Sequence, residues 1–226
     1  AEMMAEKWNL SRDELDNIAY LSHQRALRAA TEGYLDSQIH ILPNIIEKDE
    51  GVRPETTEEI LSGLDPAFSP DGVITAGNSS QISDGAAALL LASEEAVTRH
   101  GLNPIAKIKA MSVVGTDPVL MLSGPIPATK KVLENAKLNA EDIELVEVNE
   151  AFSSVVGAWR KEYPEIDYER VNANGGAIAI GHPLGATGAR LMTNLVHEMK
   201  RRNLKYGLQA ICEGGGTANG TIVELV

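Results

Sequence analysis

The chain has 226 residues, enough for a substantial core in one large domain or in one domain plus a fragment. Its 43% hydrophobic and 23% charged residues are those of an ordinary globular protein, and no apolar run reaches the ~18 residues of a spanning helix. A formal net charge of -12 excludes a nucleic-acid or anionic-membrane surface as the main partner, but not a phosphorylated small molecule, which needs only a few local donors.

The single cysteine, Cys212, excludes an internal disulfide and fits a reducing compartment. The chain opens Ala1-Glu-Met-Met-Ala5, with no Met at position 1. Processing explains that, and so does a place inside a longer polypeptide. The acidic balance and the lack of a presequence lead us to expect a cytoplasmic location.

Residues 1 to about 32 read as helix. Ser11 followed by Glu14 is a capping-box pattern, and Leu15, Ile18, Ala19, Ser22 and Ala26 then fall along one side. His23 reads as a solvent-facing or packing residue. Residues 33–70 are irregular, with an apolar run Ile39–Ile46 broken by Pro43 and a short helix near Glu58–Leu64. We expect 1–70 to be a loop-rich lobe with helix.

Residues 71–103 change character. Val73–Ser80 reads as a short strand ending in small polar residues. Ala86–Ala92 is a continuous apolar run, a buried strand or a helix. Ser93 opens a short helix that stops at Gly101.

Beyond Pro104 the pattern becomes regular. Strands are expected at Ile105–Val114, Ile143–Val148, Arg170–Asn174, Tyr206–Cys212 and Thr221–Val226. Helices are expected at Pro127–Lys137, Ala151–Tyr163 and Gly185–Arg202. The order is βαβαβαββ. It predicts an α/β layered domain over 104–226 with a mostly parallel sheet, its last two strands pairing as a hairpin.

The stretch Val171–Arg190 holds five glycines (Gly175, Gly176, Gly181, Gly185, Gly188) around His182, and an apolar helical pattern follows. A glycine-rich turn with a histidine at its apex is a usual place for chemistry in such a fold. Two other strand ends carry polar groups, Asn149-Glu-Ala-Phe152 and Cys212-Glu-Gly-Gly-Gly216. Ligands bind beyond the carboxyl ends of parallel strands, so Asn149, His182 and Cys212 are expected to converge. A thiol needs a neighbouring base to become reactive, and backbone N–H groups with Asn and His donors hold a developing oxyanion. These types suggest acyl chemistry. Taken singly, Cys212 reads as a packed strand-end residue and Asn149 as a cap. No His, Cys, Asp or Glu set has metal-ligand spacing, and a Walker-type loop is absent.

Asn149-Glu-Ala-Phe152, the run Asn172–Arg190 with its Gly181-His-Pro-Leu-Gly185 core, and Cys212-Glu-Gly-Gly-Gly216 resemble the thiolases, which are acetyl-CoA acyltransferases and acetyltransferases. Thr75-Ala-Gly-Asn-Ser-Ser80, Asp84-Gly-Ala-Ala-Ala88 and Gly124-Pro-Ile-Pro-Ala-Thr129 support it. The resemblance covers essentially the whole chain. It implies a thiolase-like layered domain and a loop-rich lobe, with 71–103 as the tail of an amino-terminal thiolase domain and 104–226 as the carboxyl-terminal one.

The resemblance also implies an activity. Thiolases cleave a 3-ketoacyl-CoA with free CoA, or condense two acyl-CoAs in reverse, through an acyl-cysteine intermediate. His182 would activate the nucleophilic cysteine and stabilise the thioester oxyanion. Asn149 would hold a water in that oxyanion hole, Cys212 would be the acid/base cysteine, and the Gly214 backbone would serve a second hole. Phe152, Ala76 and Ser80 would lie along the pantetheine and Arg53 near the nucleotide of CoA; a solvated loop arginine is the plain alternative for Arg53. CoA enters as substrate, with no tightly bound cofactor and no metal.

Two departures stand out. Cys212, the single cysteine, matches the acid/base position and not the nucleophile. The expected partners are therefore acyl-CoA, CoA and the missing amino-terminal thiolase half, in a homo- or hetero-oligomer without nucleic acid or a membrane span. Secondly, Glu213 follows Cys212 where many members carry an apolar residue. It either raises the thiol pKa or points away. The alternative function is a non-catalytic thiolase-like subunit that binds acyl-CoA or lipid, or acts as a scaffold.

Overall fold

The computed structural model describes residues 1–226. Helix α1 spans Glu2–Lys7 and α2 spans Arg12–Thr31. The expected single helix is thus two. Asn9 takes a left-handed backbone with φ 48°, and Ser11 restarts the helix with both bonds of its capping box to Glu14. The apolar stripe of α2 is buried as its spacing predicts, with Leu15, Ile18, Ala19 and Ala26 all inaccessible. Short helices α3 (Glu58–Ser62) and α4 (Glu94–His100) follow, each capped by a Thr or Ser side chain.

The segment Val73–Ser80 forms no regular strand; it makes isolated bridges, Pro66 to Thr75 and Ser79 to Phe152. The run Ala86–Ala92 is neither a buried strand nor a helix, being irregular and exposed.

The remaining elements form one layered body. They are β1 (Ala106–Gly115), α5 (Pro125–Ala136), β2 (Leu145–Val148), α6 (Ser153–Glu162), α7 (Ala177–Ile180), α8 (Thr187–Arg202), β3 (Tyr206–Glu213) and β4 (Thr217–Leu225). The sheet order is β1-β4-β3-β2. Only β2 and β3 run parallel, while β4 is antiparallel to both of its neighbours. The sheet is therefore mixed, not mostly parallel. The reason is local: the turn at 214–216 folds β4 straight back on β3 as the expected hairpin, and β1 then pairs on its far side.

Arg170–Asn174 is the other correction. It contributes a single parallel bridge, Val171 to Val146. Asn172 turns left-handed with φ 48°, which ends the extended run. Its side chain takes over the ladder instead, accepting from the Val148 N–H at 2.9 Å and donating to the Val148 carbonyl at 2.9 Å.

Helices cover both faces of the sheet. Val146, Val148, Leu208 and Ile222 pack with α5 and α6 around the fully buried Trp159. Leu145 and Val223, one pleat over, pack with Leu195, Val196 and Met199 of α8. Alternation along β2 thus feeds two cores at once, which is why all four of its residues are buried. Helix α2 lies against α6 and α7 as an outer layer. No helix is long and apolar enough to cross a membrane.

Candidate active site

Strand β2 ends at Val148, and Asn149 continues it by donating its N–H to the Ala210 carbonyl of β3 at 3.1 Å. Asn149 is fully buried and its side-chain Oδ1 has no partner. Glu150 turns inward and ties three separate parts of the chain together. It accepts from Ser22 Oγ on α2 at 2.6 Å, from Asn172 Nδ2 at 3.0 Å and from the Ile178 N–H on α7 at 3.1 Å. Burial pushes the Glu150 carboxyl above its usual range, although these donors oppose that. Gly176 opens α7 directly over this carboxylate: a Cβ there would lie 2.4 Å from the carboxyl carbon.

His182 follows α7. Gly181 before it takes φ 85°, and a Cβ there would sit 2.2 Å from Ser83 Oγ. The His182 N–H donates to the Gln81 carbonyl at 3.0 Å. Gln81 Nε2 in turn donates to the carbonyls of Gly51, Ile178 and Ala179 at 2.7, 2.9 and 3.1 Å. The histidine is therefore anchored from the 78–83 segment as well as from its own glycine turn. Its ring is half-buried. Nε2 lies 3.4 Å from Asn149 Nδ2, and Nδ1 lies 2.7 Å from Thr187 Oγ1. Burial lowers the His182 pKa, which favours the neutral ring.

Cys212 lies on β3, two residues beyond Ala210, the register partner of Val148. Its thiol is half-buried on the α5 and α6 side of the sheet. Burial pushes its pKa up to about 11, with the neighbouring Glu213 charge adding in the same direction. The Glu213 side chain itself is held across the hairpin, accepting from Thr217 Oγ1 at 2.8 Å and Asn219 Nδ2 at 2.6 Å. Gly214 follows in the exposed turn.

Of the expected residues, Asn149 and His182 touch. Cys212 and Gly214 lie along the adjoining strand end. Ser80 and Phe152 are brought close, since Ser79 bridges Phe152 and the Ser80 N–H donates to Ala151 at 3.1 Å. The Phe152 ring packs edge-on against Phe68, with centroids 6.2 Å apart. Ala76 is exposed four residues earlier. Arg53 is also exposed, and its backbone N–H donates to His23 Nδ1 at 3.3 Å. Sequence reasoning passed over Gln81, Glu150 and Thr187. Glu150 and Thr187 stand inside the quoted motifs, so their place was visible though their bonds were not.

A neutral, half-buried imidazole beside an amide, with a protonated thiol at the next strand end, is equipped for proton transfer and oxyanion binding at a carbonyl. Two surface depressions lie away from this site, one beside α1 and one beside Arg201 and Arg202.

Comparison with known proteins gives the class. The family model described as thiolase, C-terminal domain, matches residues 102–225, and that described as thiolase, N-terminal domain, matches residues 1–95. The chain belongs to the thiolase family.

Among its relatives is a steroid 3-ketoacyl-CoA thiolase of Mycobacterium tuberculosis, 51% identical over 227 residues. That match covers 99% of this chain and 55% of the relative. A 3-ketoacyl-CoA thiolase of Bacillus subtilis is 45% identical over 241 residues, covering 100% of this chain and 61% of the relative. The crystal structure of a Bacillus anthracis acetyl-CoA acetyltransferase superposes with a TM-score of 0.94 at 42% identity, covering 100% of this chain and 59% of that one. The human mitochondrial 3-ketoacyl-CoA thiolase in complex with CoA gives 0.91 at 39% identity, covering 100% and 57%. The chain thus spans between half and two thirds of the length of these relatives.

Proposed function

We propose that this chain supplies the histidine, asparagine and acid/base cysteine of a thiolase, and that a further segment supplies the nucleophilic cysteine. The observation that carries the reading is the Asn149–His182 contact beside a strand end that bears Cys212. Three relatives of matching sequence are named as 3-ketoacyl-CoA thiolases or an acetyl-CoA acetyltransferase, which supports a 3-ketoacyl-CoA and CoA as the substrate class.

In the cleavage direction the nucleophilic thiol gives its proton to His182 Nε2. The thiolate attacks the 3-keto carbon of the substrate. The imidazolium then donates Nε2–H to the oxygen that gains charge, with Asn149 alongside. The C2–C3 bond breaks, and its electron pair stays with the acetyl-CoA fragment as an enolate. Cys212 donates its thiol proton to that carbon, and Gly214 N–H faces the enolate oxygen. A thiol whose pKa lies at about 11 is protonated at neutral pH, as this step needs. Free CoA gives its thiol proton to the Cys212 thiolate, and its sulfur takes the acyl group from the enzyme cysteine. The departing cysteine thiolate recovers its proton from the His182 imidazolium. Phe152, Ala76 and Ser80 line the pantetheine, and Arg53 lies near the nucleotide phosphates. CoA is a substrate in this scheme and not a resident cofactor.

The need for a further segment has its own support. None of residues 82–92 makes a backbone–backbone hydrogen bond, and Leu90 and Leu91 are 84% and 75% exposed. An exposed apolar run with unpaired backbone groups suits a covering partner. We assign it to the remainder of the thiolase length, since the match covers only 55%, 61% and 59% of these relatives' own length. On this reading 1–70 is the loop-rich lobe, 71–103 the tail of the amino-terminal domain and 104–226 the carboxyl-terminal domain. Location in the cytoplasm and assembly as an oligomer belong to the same proposal.

The experiment is CoA-dependent cleavage of a 3-ketoacyl-CoA by the complete protein, compared with its His182→Ala variant. Turnover abolished with CoA binding retained supports the enzyme. CoA binding without turnover in the unmodified protein supports the acyl-CoA-binding alternative.

A further inference from the structure

The signature histidine has a second neighbour besides Asn149, and its geometry has a chemical consequence. Thr187 is the first residue of α8 and is buried. Its hydroxyl lies 2.7 Å from His182 Nδ1 and 3.0 Å from the Pro183 carbonyl oxygen. A hydroxyl has one proton to give. The Pro183 oxygen also receives the Ala186 and Thr187 N–H groups, at 2.8 and 3.0 Å, so the hydroxyl proton has two acceptors to choose from, Pro183 and Nδ1. With the proton on Pro183, the Thr187 oxygen is left to accept. Nδ1 must then carry a hydrogen and donate it. The opposite edge of the ring decides between the two. Asn149 Nδ2 is a donor 3.4 Å from Nε2, so an N–H at Nε2 would face another N–H.

We infer that Thr187 is a positioning residue that holds His182 in the Nδ1–H tautomer and leaves the Nε2 lone pair free as the base. This rests on the thiolase reading for the use made of that base. The choice of a hydroxyl is itself informative. In a carboxylate–histidine pair the orienting group is an anion, which stabilises the imidazolium. Thr187 fixes the same ring edge without charge, so the resting ring stays neutral. No acidic side chain bonds the ring, and its neighbours are Asn149 and Thr187. The bond also fixes the ring plane from the helix start: the Thr187 N–H, like its hydroxyl, is anchored on Pro183 at 3.0 Å, so ring and helix turn as one unit.

The test has a spectroscopic and a kinetic arm. The full chain is labelled with ¹⁵N-histidine, and the ring nitrogens of its five histidines are assigned by single substitution. At neutral pH His182 is expected to show a protonated Nδ1 and a bare Nε2. Thr187→Val keeps the shape and removes the acceptor, so the two tautomers are expected to mix. In the complete protein the same variant is expected to lose about 10–100-fold in kcat with KM within about 2-fold, the range for losing an orienting partner of a functional histidine. Thr187→Ser retains the hydroxyl and is expected to restore turnover to within about 3-fold. If Thr187→Val fails to fold, Thr187→Ala against Thr187→Ser isolates the hydroxyl equally well. A wild-type His182 protonated at Nε2 overturns the inference. So does a variant without the hydroxyl whose tautomer and kcat are unchanged. A complete wild-type protein without thiolysis would sink the thiolase reading alone, because the ring signature needs no substrate.

Discussion

The side chains of Asn149 and His182 meet at 3.4 Å although 33 residues separate them. Two different structural devices deliver them. Asn149 is carried on the end of β2, and His182 on a glycine turn pinned from Gln81. The contact therefore reports on the assembly of the sheet, of α7 and of the 78–83 segment together.

Asn149→Ala separates catalysis from stability. The amide is buried with an unpartnered Oδ1, so it contributes little to folding for the desolvation it costs. The complete protein carrying this change is expected to lose on the order of 10²–10³ in kcat, the range for one oxyanion-hole donor. Its melting temperature should move by no more than about 4 °C, as for a change under 1 kcal/mol. Steady-state kinetics with a thermal melt decides. A large fall in melting temperature with turnover intact would reverse the assignment.

Glu150→Ala is expected to do the opposite first. It removes the acceptor of Ser22, Asn172 and Ile178, leaving buried donors unpaired. The expected cost is about 3 kcal/mol in denaturant titration. Turnover should fall with it, since α7 and the start of the His182 turn lose their tie to β2. A variant as stable as the parent would show that the network is not what holds the turn.

Much of this was legible in the residues, and the exceptions share a cause. The capping box at Ser11, the stop of α4 at Gly101 and the β3–β4 hairpin follow from local chemistry, and the structure shows all three. The break between α1 and α2 was missed because it rests on a left-handed Asn9, a backbone choice that periodicity does not register. Asn172 defeated the expected strand in the same way. The sheet direction was missed because alternating elements imply parallel neighbours, whereas β1 closes on β4, the last strand of the chain. At the site, residue types pointed to Asn149, His182 and Cys212. The ties through Gln81, Glu150 and Thr187 are tertiary, and no spacing rule encodes them. Ala86–Ala92 read as a buried strand or a helix because it is apolar; in the structure it is irregular and exposed.

Acid should loosen the Arg53 loop. Burial, then the Arg53 charge, lowers the His23 pKa to about 4 from its ordinary value near 6.5. A group depressed in the folded state adds stability above its unfolded pKa and loses it as pH falls. The loss therefore runs from about pH 6.5 down to about pH 4. Protonation also removes the lone pair that accepts the Arg53 N–H. Melting temperature is expected to fall across that window, and less steeply in His23→Gln. Equal slopes in the two proteins would contradict the assignment.

Cys212 should be a slow nucleophile. With its pKa at about 11, little thiolate exists at pH 8. Iodoacetamide labelling is expected to be on the order of 100-fold slower than that of free cysteine, rising about tenfold per pH unit towards pH 10. Intact mass follows the reaction. Labelling at the free-thiol rate near neutrality would remove Cys212 from the proton-donor role.

The most direct test is thiolysis measured on three preparations: the complete protein, the 226-residue chain alone, and the complete protein with Cys212→Ser. The account predicts CoA-dependent cleavage of a 3-ketoacyl-CoA by the first, none by the second, and a loss of about 10²–10⁴ in the third, the range for a removed acid/base group. Cleavage by the 226-residue chain alone, or full activity in the Cys212→Ser protein, would contradict it.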